Sequence, residues 1–180
     1  MNKIENYKFH SYSLTSVKVH DDMSEETLCF SAKLVNPEGK VVAVIKNSGT
    51  GGCNHNDFNS PKEEKAFYEH IKGLTYYNKH AKKEMTYCDE VYVDELMSEL
   101  EMRKHSNRGY FTSIEHDAEK GDFGILKSGN KKVRWTHKGL AKYIANNLEG
   151  YFLVNAPQDL IDEVNQIRLT MFLLSQEVQA

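Results

Sequence analysis

The sequence predicts an α+β fold: an N-terminal antiparallel β-hairpin or sheet, central helices, then short C-terminal strands and an apolar terminal helix. Apolar and polar residues alternate with period two in the first third of the chain, which is typical of half-buried strands. Apolar residues recur at three- and four-residue steps in the middle and at the end, which is typical of amphipathic helices. The two periodicities occupy separate parts of the chain, which favours α+β.

The predicted N-terminal sheet is built around one hairpin. Its first strand covers the alternating residues 27–34, and the turn Asn-Pro-Glu-Gly follows at 36–39. Proline in the second position and glycine in the fourth are typical of a β-turn. The β-branched run 40–46 returns as the second strand. We expect an earlier strand at 13–20 to pair with this hairpin.

Helices are predicted from their start signals and their apolar periodicity. The sequence Ser-Pro-Lys-Glu at 60–63 combines a capping box with proline in the first turn. A second helix is predicted over 89–105. Its charged face is interpreted as solvated surface and comprises Glu95, Glu99, Glu101, Arg103 and Lys104. Thr136 is expected to cap a third helix through Leu148, and Pro157 to open the C-terminal helix.

The last third of the chain also contains short predicted strands separated by turn residues. These strands cover 110–114, 123–127, 133–135 and 151–154. We find no internal repeat, low-complexity stretch or linker that divides the sequence. The sequence therefore predicts one α+β domain over residues 1–180.

The composition restricts the class of protein. The chain carries 23 basic and 26 acidic residues, a balance too even for a strongly basic nucleic-acid binder or a heavily acidic DNA mimic. Three scattered cysteines make no disulfide framework, which favours a reducing compartment. We find no apolar signal-peptide core in residues 1–13 and no apolar window of membrane-spanning length. We therefore expect a cytoplasmic protein with no membrane contact.

The most distinctive sequence feature is a glycine-rich segment in the longest irregular stretch, 47–59. Three glycines within four residues, 49–52, allow positive φ angles and exposed N–H groups, a backbone arrangement that binds anions. The segment lacks the Lys-Ser/Thr ending of a P-loop and the G-x-G-x-x-G spacing. A nucleotide or cyclic-nucleotide site and a structural connection both stay open. The candidate ligand-binding residues are Asn47, Ser48, Gly49, Thr50, Gly51, Gly52, Asn54 and His55.

Other patterns predict neither catalysis nor a metal. Glu25 or Glu26 with His55 could carry out acid–base chemistry, but Ser and Glu before a strand are typical of a solvated turn. None of the eight histidines has metal-site spacing, so we predict no metal and no cofactor. The basic residues around Trp135 could contact nucleic acid, although a hairpin with one core tryptophan has the same pattern. The acidic balance argues against nucleic acid as a partner.

Two segments resemble small phage and prophage accessory proteins. They are S-E-x-T-x-x-F-x-A at 24–32 and N-x-G-x-G-G at 47–52, with weaker similarity at 92–96 and 153–155. The resemblance carries no catalytic residues. It implies expression inside a bacterial host and binding to host machinery, as anti-CRISPR and other anti-defence inhibitors do. Our leading expectation is a non-enzymatic protein that binds and inhibits a host defence component, and the alternative is nucleotide sequestration by loop 47–56.

The C-terminal helix predicts self-association. Its segment 169–174 is apolar at every position except Thr170. A solvent-facing helix would have a clear polar half. A first apolar line comprises Leu160, Val164, Ile167 and Met171, and the residues that widen it are Ile161, Leu169, Phe172 and Leu173. We expect a homodimer with this helix in or near the interface, since two-fold dimers are the commonest oligomers.

Overall fold

The computed structural model describes residues 3–78, 81–105, 110–114, 123–126, 136–148 and 151–178. The chain forms two compact units: a continuous unit of His10–Leu100, and a split unit of Met1–Phe9 with Glu101–Ala180. Both contain helices and antiparallel strands, so the predicted α+β class is confirmed. The single domain over residues 1–180 stays a prediction.

The continuous unit begins with a four-stranded antiparallel sheet in the order β1-β2-β3-β4. Its strands are β1 (Ser13–Val19), β2 (Phe30–Val35), β3 (Val41–Asn47) and β4 (His55–Phe58). A short 3₁₀ turn at Asp21–Met23 lies between β1 and β2. After the sheet come α1 (Pro61–Lys72), the antiparallel pair β5 (Thr75–Asn78) and β6 (Lys83–Thr86), and the part of α2 (Asp89–His105) up to Leu100.

The predicted hairpin is confirmed, and one strand was missed. β2 pairs with β3 from Phe30 opposite Asn47, and Gly39 closes the turn with φ +79°. The prediction that 47–59 is irregular throughout is wrong, because β4 lies within it and pairs with β3. Three of the four β4 residues are polar, and none is β-branched. The strand therefore depends on pairing with β3 rather than on its own propensity.

The core of the continuous unit joins the apolar face of the sheet to α1 and α2. Phe67 on α1 and Tyr92 on α2 are fully buried, and their rings meet edge to face with centroids 5.8 Å apart. α1 starts as predicted, since the Ser60 hydroxyl accepts the Glu63 N–H at 3.3 Å. The other fully buried members of this core include Leu34, Ala43, Ile45, Val93 and Leu96.

The split unit contains a three-stranded antiparallel sheet in the order β8-β7-β9, and two helices. Its elements are β7 (Tyr110–Ile114), β8 (Phe123–Leu126), α3 (His137–Asn147), β9 (Tyr151–Leu153) and α4 (Gln158–Glu177). Thr136 caps α3 as predicted, accepting the Gly139 N–H at 3.1 Å. The predicted strand at 133–135, with Trp135, lies outside the described residues.

The core of the split unit is formed by α3, the first half of α4, β9 and the N-terminal segment. Ile4, Ile144, Leu153, Leu160 and Val164 are fully buried in it. The backbone of Leu153 bonds to both Glu5 and Tyr7, which holds the N-terminal segment beside β9. Residues 4–7 are therefore part of the same core as α3, β9 and the first half of α4.

Candidate functional site

The glycine-rich loop between β3 and β4 is held in place by one backbone carbonyl. The Gly49 oxygen accepts the N–H groups of Glu25, Glu26 and Thr27 at 2.9, 3.0 and 3.2 Å. Gly49 has φ +85°, and a Cβ there would lie 2.2 Å from the Met23 carbonyl oxygen. A larger residue at this position would therefore meet both backbone strain and a direct clash.

The Asn47 side chain organises the interior of the same loop. Its Oδ1 accepts the Gly49 N–H at 2.9 Å and the Thr27 hydroxyl at 2.8 Å. Its Nδ2 donates to the Gly52 carbonyl at 3.2 Å and to Asn54 Oδ1 at 3.0 Å. Both ends of the amide are thus used within the fold, so Asn47 shapes the loop.

The positive φ angles expected from the glycines are confirmed at Gly49, Gly51 and Gly52. Carboxylates, however, lie beside the loop. The Glu26 carboxylate packs over Gly51, with Oε2 2.2 Å from the place of a Cβ there. Glu90 Oε1 accepts the Asn54 N–H at 3.3 Å. Negative charge in this position opposes the binding of a phosphate, so the ligand role of residues 47–55 stays a prediction.

Two further side chains of the loop region, Cys53 and His55, have defined surroundings. A hydrogen bond with Glu90 raises the pKa of the Cys53 thiol, and the charge of Asp89 adds to that effect. Cys53 is therefore held in its protonated, less nucleophilic form. His55 lies exposed at the start of β4 opposite Lys46. Within the described ranges it makes no hydrogen bond to Glu25 or Glu26.

A polar cluster in the continuous unit was not predicted. His10 Nδ1 lies 2.7 Å from Glu99 Oε1, which also accepts the His10 backbone N–H at 2.8 Å. His10 Nε2 lies 3.2 Å from Glu95 Oε2, and the Tyr87 hydroxyl donates to that oxygen at 2.6 Å. We call His10, Tyr87, Glu95 and Glu99 the His10 cluster. Two carboxylates from successive turns of α2 thus hold both nitrogens of one imidazole.

The interpretation of Glu99 as solvated surface is therefore wrong, whereas Glu95 stays partly in solvent with 32% of its side chain exposed. The Glu99 side chain is only 2% exposed and the His10 side chain 15%. Glu95 and Glu99 stand four residues apart beside the buried Leu96, so they share the edge of the core-facing side of α2. Their partner His10 is 89 residues from Glu99 in sequence, and no local pattern links the two. The sequence feature that could have indicated this cluster is the pair of acidic residues beside a buried position of α2.

The electrostatics of the cluster favour protonation. Burial lowers the pKa of His10, but the hydrogen bond that its ring donates to Glu99 and the charges of both glutamates outweigh burial, so the pKa is raised. Burial raises the pKa of Glu95, and the contacts with Tyr87 and His10 only partly offset that effect. An imidazolium donating to two carboxylates has no free basic nitrogen. The cluster therefore suits an anchoring role better than general-base catalysis.

A second, neutral network lies next to the cluster. His70 Nε2 lies 3.1 Å from the Tyr92 hydroxyl and 3.3 Å from Ser11 Oγ. Burial raises the pKa of Tyr92 and lowers the pKa of His70, so both stay uncharged at neutral pH. The Tyr92 ring also meets the His10 ring edge to face at 4.7 Å. These contacts attach the segment before β1 to α1 and α2.

The C-terminal half of α4 exposes large apolar side chains. We call residues 169–178 the apolar end of α4. Every residue in it is exposed, whereas Leu160, Ile161 and Val164 in the first half are buried. The exposed fractions are 39% for Leu169, 46% for Met171, 45% for Phe172, 53% for Leu173, 56% for Leu174 and 87% for Val178. So many adjacent apolar residues in water are typical of an interaction surface.

The apolar end has two apolar faces on opposite sides of the helix. At 3.6 residues per turn, Leu169, Phe172 and Leu173 form the outer face, about 180° from the inner face of Met171, Leu174 and Val178. The inner face continues the buried side of the first half of α4. The outer face instead lies on the side of α4 that is polar in the first half of the helix, where Asp162 and Gln166 are exposed. Packing among the residues of the split unit that the structure describes therefore does not account for the outer face.

The start of the apolar end is fixed by a buried arginine. Arg168 is 8% exposed, and its guanidinium donates to the carbonyls of Ala145 and Leu148 at the end of α3. These are carbonyls that a helix terminus leaves without partners, and a cation there also interacts favourably with the helix dipole. His137, at the other end of α3, lies 3.1 Å from Glu163. α3 thus runs alongside α4 and ends level with Arg168.

Neither a metal site nor a membrane span is found in the described part of the chain. No group of three or more His, Cys, Asp or Glu residues there is placed to hold a metal ion. None of the helices described here combines the length and the apolar character needed to cross a membrane. Comparison with protein-family models, curated proteins and solved structures finds no match to this chain.

Proposed function

We propose that this protein is a non-enzymatic binding protein that inserts the outer face of α4 into an apolar groove on a partner protein. The exposure of Leu169, Phe172 and Leu173 is the observation that supports it. These residues have the i, i+3, i+4 spacing with which an amphipathic helix fills a groove, and the central anchor is aromatic.

The chemistry of the surface defines the partner. No residue from Leu169 to Gln176 carries a charge, so a matching groove is apolar with a neutral polar rim. Full burial of a large apolar side chain contributes about 1.5–3 kcal/mol, and these three are roughly half exposed before binding. Their insertion would then contribute on the order of 3 kcal/mol, the larger part of it from Phe172 and its neighbour Leu173.

The biological setting of the proposal rests on sequence. The segments 24–32 and 47–52 resemble phage accessory proteins, which implies a partner inside a bacterial host. We propose a component of the host's anti-phage defence, which this protein inhibits by occupying the groove. The His10 cluster supports the non-enzymatic part of the proposal, because its histidine has both nitrogens engaged by carboxylates.

The test is capture from host lysate followed by inhibition. Tagged wild-type chain, Phe172→Glu and Thr170→Glu would be used as bait under mild salt. Thr170→Glu adds the same charge to the same exposed segment, between the two apolar faces, and serves as the matched control. The proposal expects a component captured by wild type and Thr170→Glu, lost with Phe172→Glu, and inhibited when purified chain is added. Capture that is indifferent to Phe172→Glu, or a captured component whose activity is unaffected, would exclude it.

The second candidate function is nucleotide sequestration by the glycine-rich loop. The positive φ angles of Gly49, Gly51 and Gly52 favour it, whereas the nearby Glu26 and Glu90 oppose a phosphate. A thermal-shift titration with mono-, di- and cyclic nucleotides separates the two candidates. A ligand at one hundred times its dissociation constant would stabilise the fold by about 2.7 kcal/mol. The absence of any shift would remove this candidate.

A further inference from the structure

We infer that a second copy of this chain covers the inner face of α4, so that the two α4 helices pair across a two-fold axis. The face comprises Met171, Leu174 and Val178 and continues the line of Ile167, which packs against the core. It lies opposite the outer face assigned to the partner protein. The inference therefore holds or fails independently of the proposed function.

The spacing along the inner face is that of a coiled coil. From Leu160 the apolar residues follow at steps of four, three, four, three and four, through Val164 to Val178. This alternation places every one of them on a single stripe facing a neighbouring helix. A stripe that continues unchanged over the whole length of a helix is expected to have a helical neighbour over that whole length.

Only the first part of this stripe has such a neighbour in the described residues. Leu160 and Val164 are fully buried and Ile167 packs against the same core. Exposure then rises to 46% at Met171, 56% at Leu174 and 87% at Val178. The reason is length: α3 has 11 residues and α4 has 20, and α3 ends level with Arg168. The stripe therefore extends past α3 by about two and a half turns.

A second copy fits this overhang in both shape and charge. In a two-fold dimer the same stripe supplies both sides, so the alternating steps match by construction. The segment from Leu169 to Gln176 carries no charge, and two copies can approach in either direction without like-charge repulsion. A helical partner of different sequence would need apolar residues of its own at the matching spacing, whereas a second copy carries the same stripe.

The area sets the strength of the association. At about 200 Å² for a large side chain, the exposed parts of Met171, Leu174 and Val178 amount to roughly 380 Å² per copy. A stable standard interface buries about 800 Å² per partner. The expected product is thus a reversible dimer that dissociates on dilution, with a dissociation constant weaker than about 1 μM.

The experiment is sedimentation equilibrium on the intact chain over a concentration series from about 5 to 500 μM, which brackets the expected dissociation constant. Four proteins would be compared: wild type, Leu174→Glu on the inner face, Phe172→Glu on the outer face, and Thr170→Glu between them. Circular dichroism checks that each retains its helix content. If Leu174→Glu fails to fold, Met171→Glu takes its place.

We expect wild type, Phe172→Glu and Thr170→Glu to pass from monomer to dimer with similar midpoints. Leu174→Glu should shift the midpoint at least tenfold or stay monomeric. A wild type that is monomeric throughout would overturn the inference. So would an unshifted Leu174→Glu, or a dimer that Phe172→Glu abolishes. Because Phe172→Glu tests capture and Leu174→Glu tests pairing, failure of one proposal is distinguishable from failure of the other.

Discussion

Removal of the His10 imidazole tests whether the His10 cluster stabilises the fold by holding the segment before β1 against α2. His10→Ala leaves Glu99 buried, with its side chain 2% exposed and without the ring 2.7 Å away. Breaking a buried ion pair by removing one partner typically costs 3–5 kcal/mol. Since the His10 side chain is 15% exposed, we expect a loss near the lower limit, about 3 kcal/mol. The control is His20→Ala, an exposed histidine, with an expected change within about 0.5 kcal/mol.

The same cluster predicts how stability changes with pH. The folded pKa of His10 is raised above its ordinary 6.5, so its contribution is complete below pH 6.5 and is lost as pH rises through the folded pKa. The raised pKa of Glu95 also makes the free energy of unfolding fall with rising pH, but at lower pH values. The lowered pKa of His70 makes stability rise with pH, mainly below pH 6.5 and fading within about one pH unit above it. The free energy of unfolding of the continuous unit should therefore fall between pH 6.5 and 8.5 in wild type, and change less in His10→Ala.

The assay is amide hydrogen exchange of the β2–β3 ladder, which lies in the continuous unit, at both pH values and after correction for intrinsic exchange rates. A loss below about 1 kcal/mol for His10→Ala would show that the imidazole contributes little to holding Glu99, which contradicts the anchoring role. A wild-type free energy of unfolding that rises from pH 6.5 to 8.5 would contradict the assigned sign.

Three further predictions concern the loop, the end of α3 and one thiol. Gly49→Ala should destabilise by about 2–3 kcal/mol in urea unfolding, because strain and a 2.2 Å clash combine there. Gly39→Ala, with similar φ but open space, should cost about 1 kcal/mol, and equal losses would refute the clash. Arg168→Met should lower stability by about 2 kcal/mol through loss of charge-assisted bonds to α3, and an unchanged unfolding midpoint would contradict this. Glu90→Gln should speed iodoacetamide labelling of Cys53 at pH 8, as followed by mass spectrometry, whereas an unchanged rate would show that Glu90 does not raise that thiol's pKa.

Much of the fold was predictable because its signals are local. The β2–β3 hairpin follows from alternation and one turn, and the start of α1 follows from the Ser60 cap. The residues of β4, His-Asn-Asp-Phe, carry no strand signal of their own, because pairing with β3 creates the strand. The hairpin of β5 and β6 was missed as well. Such elements depend on neighbours that a sequence pattern does not reveal.

The candidate sites, like the fold, were predictable from sequence only where their signals are local. The apolar character of α4 was readable from sequence, but the division into two faces required knowing that α3 ends level with Arg168. The glycines predicted positive φ angles, but not that the Gly49 carbonyl would collect three N–H groups. The His10 cluster joins groups far apart in sequence. Only the tertiary fold brings the histidine to the two glutamates.

The most direct test of the central claim is a phage-plating measurement on a bacterial strain with active anti-phage defence. The strain would express wild type, Phe172→Glu or Thr170→Glu at matched levels, and the plating efficiency of a restricted phage would be compared. Docking through the outer face of α4 predicts that wild type and Thr170→Glu raise plating at least tenfold, while Phe172→Glu leaves it at the level of the empty vector. Equal plating with Phe172→Glu and wild type would contradict the account.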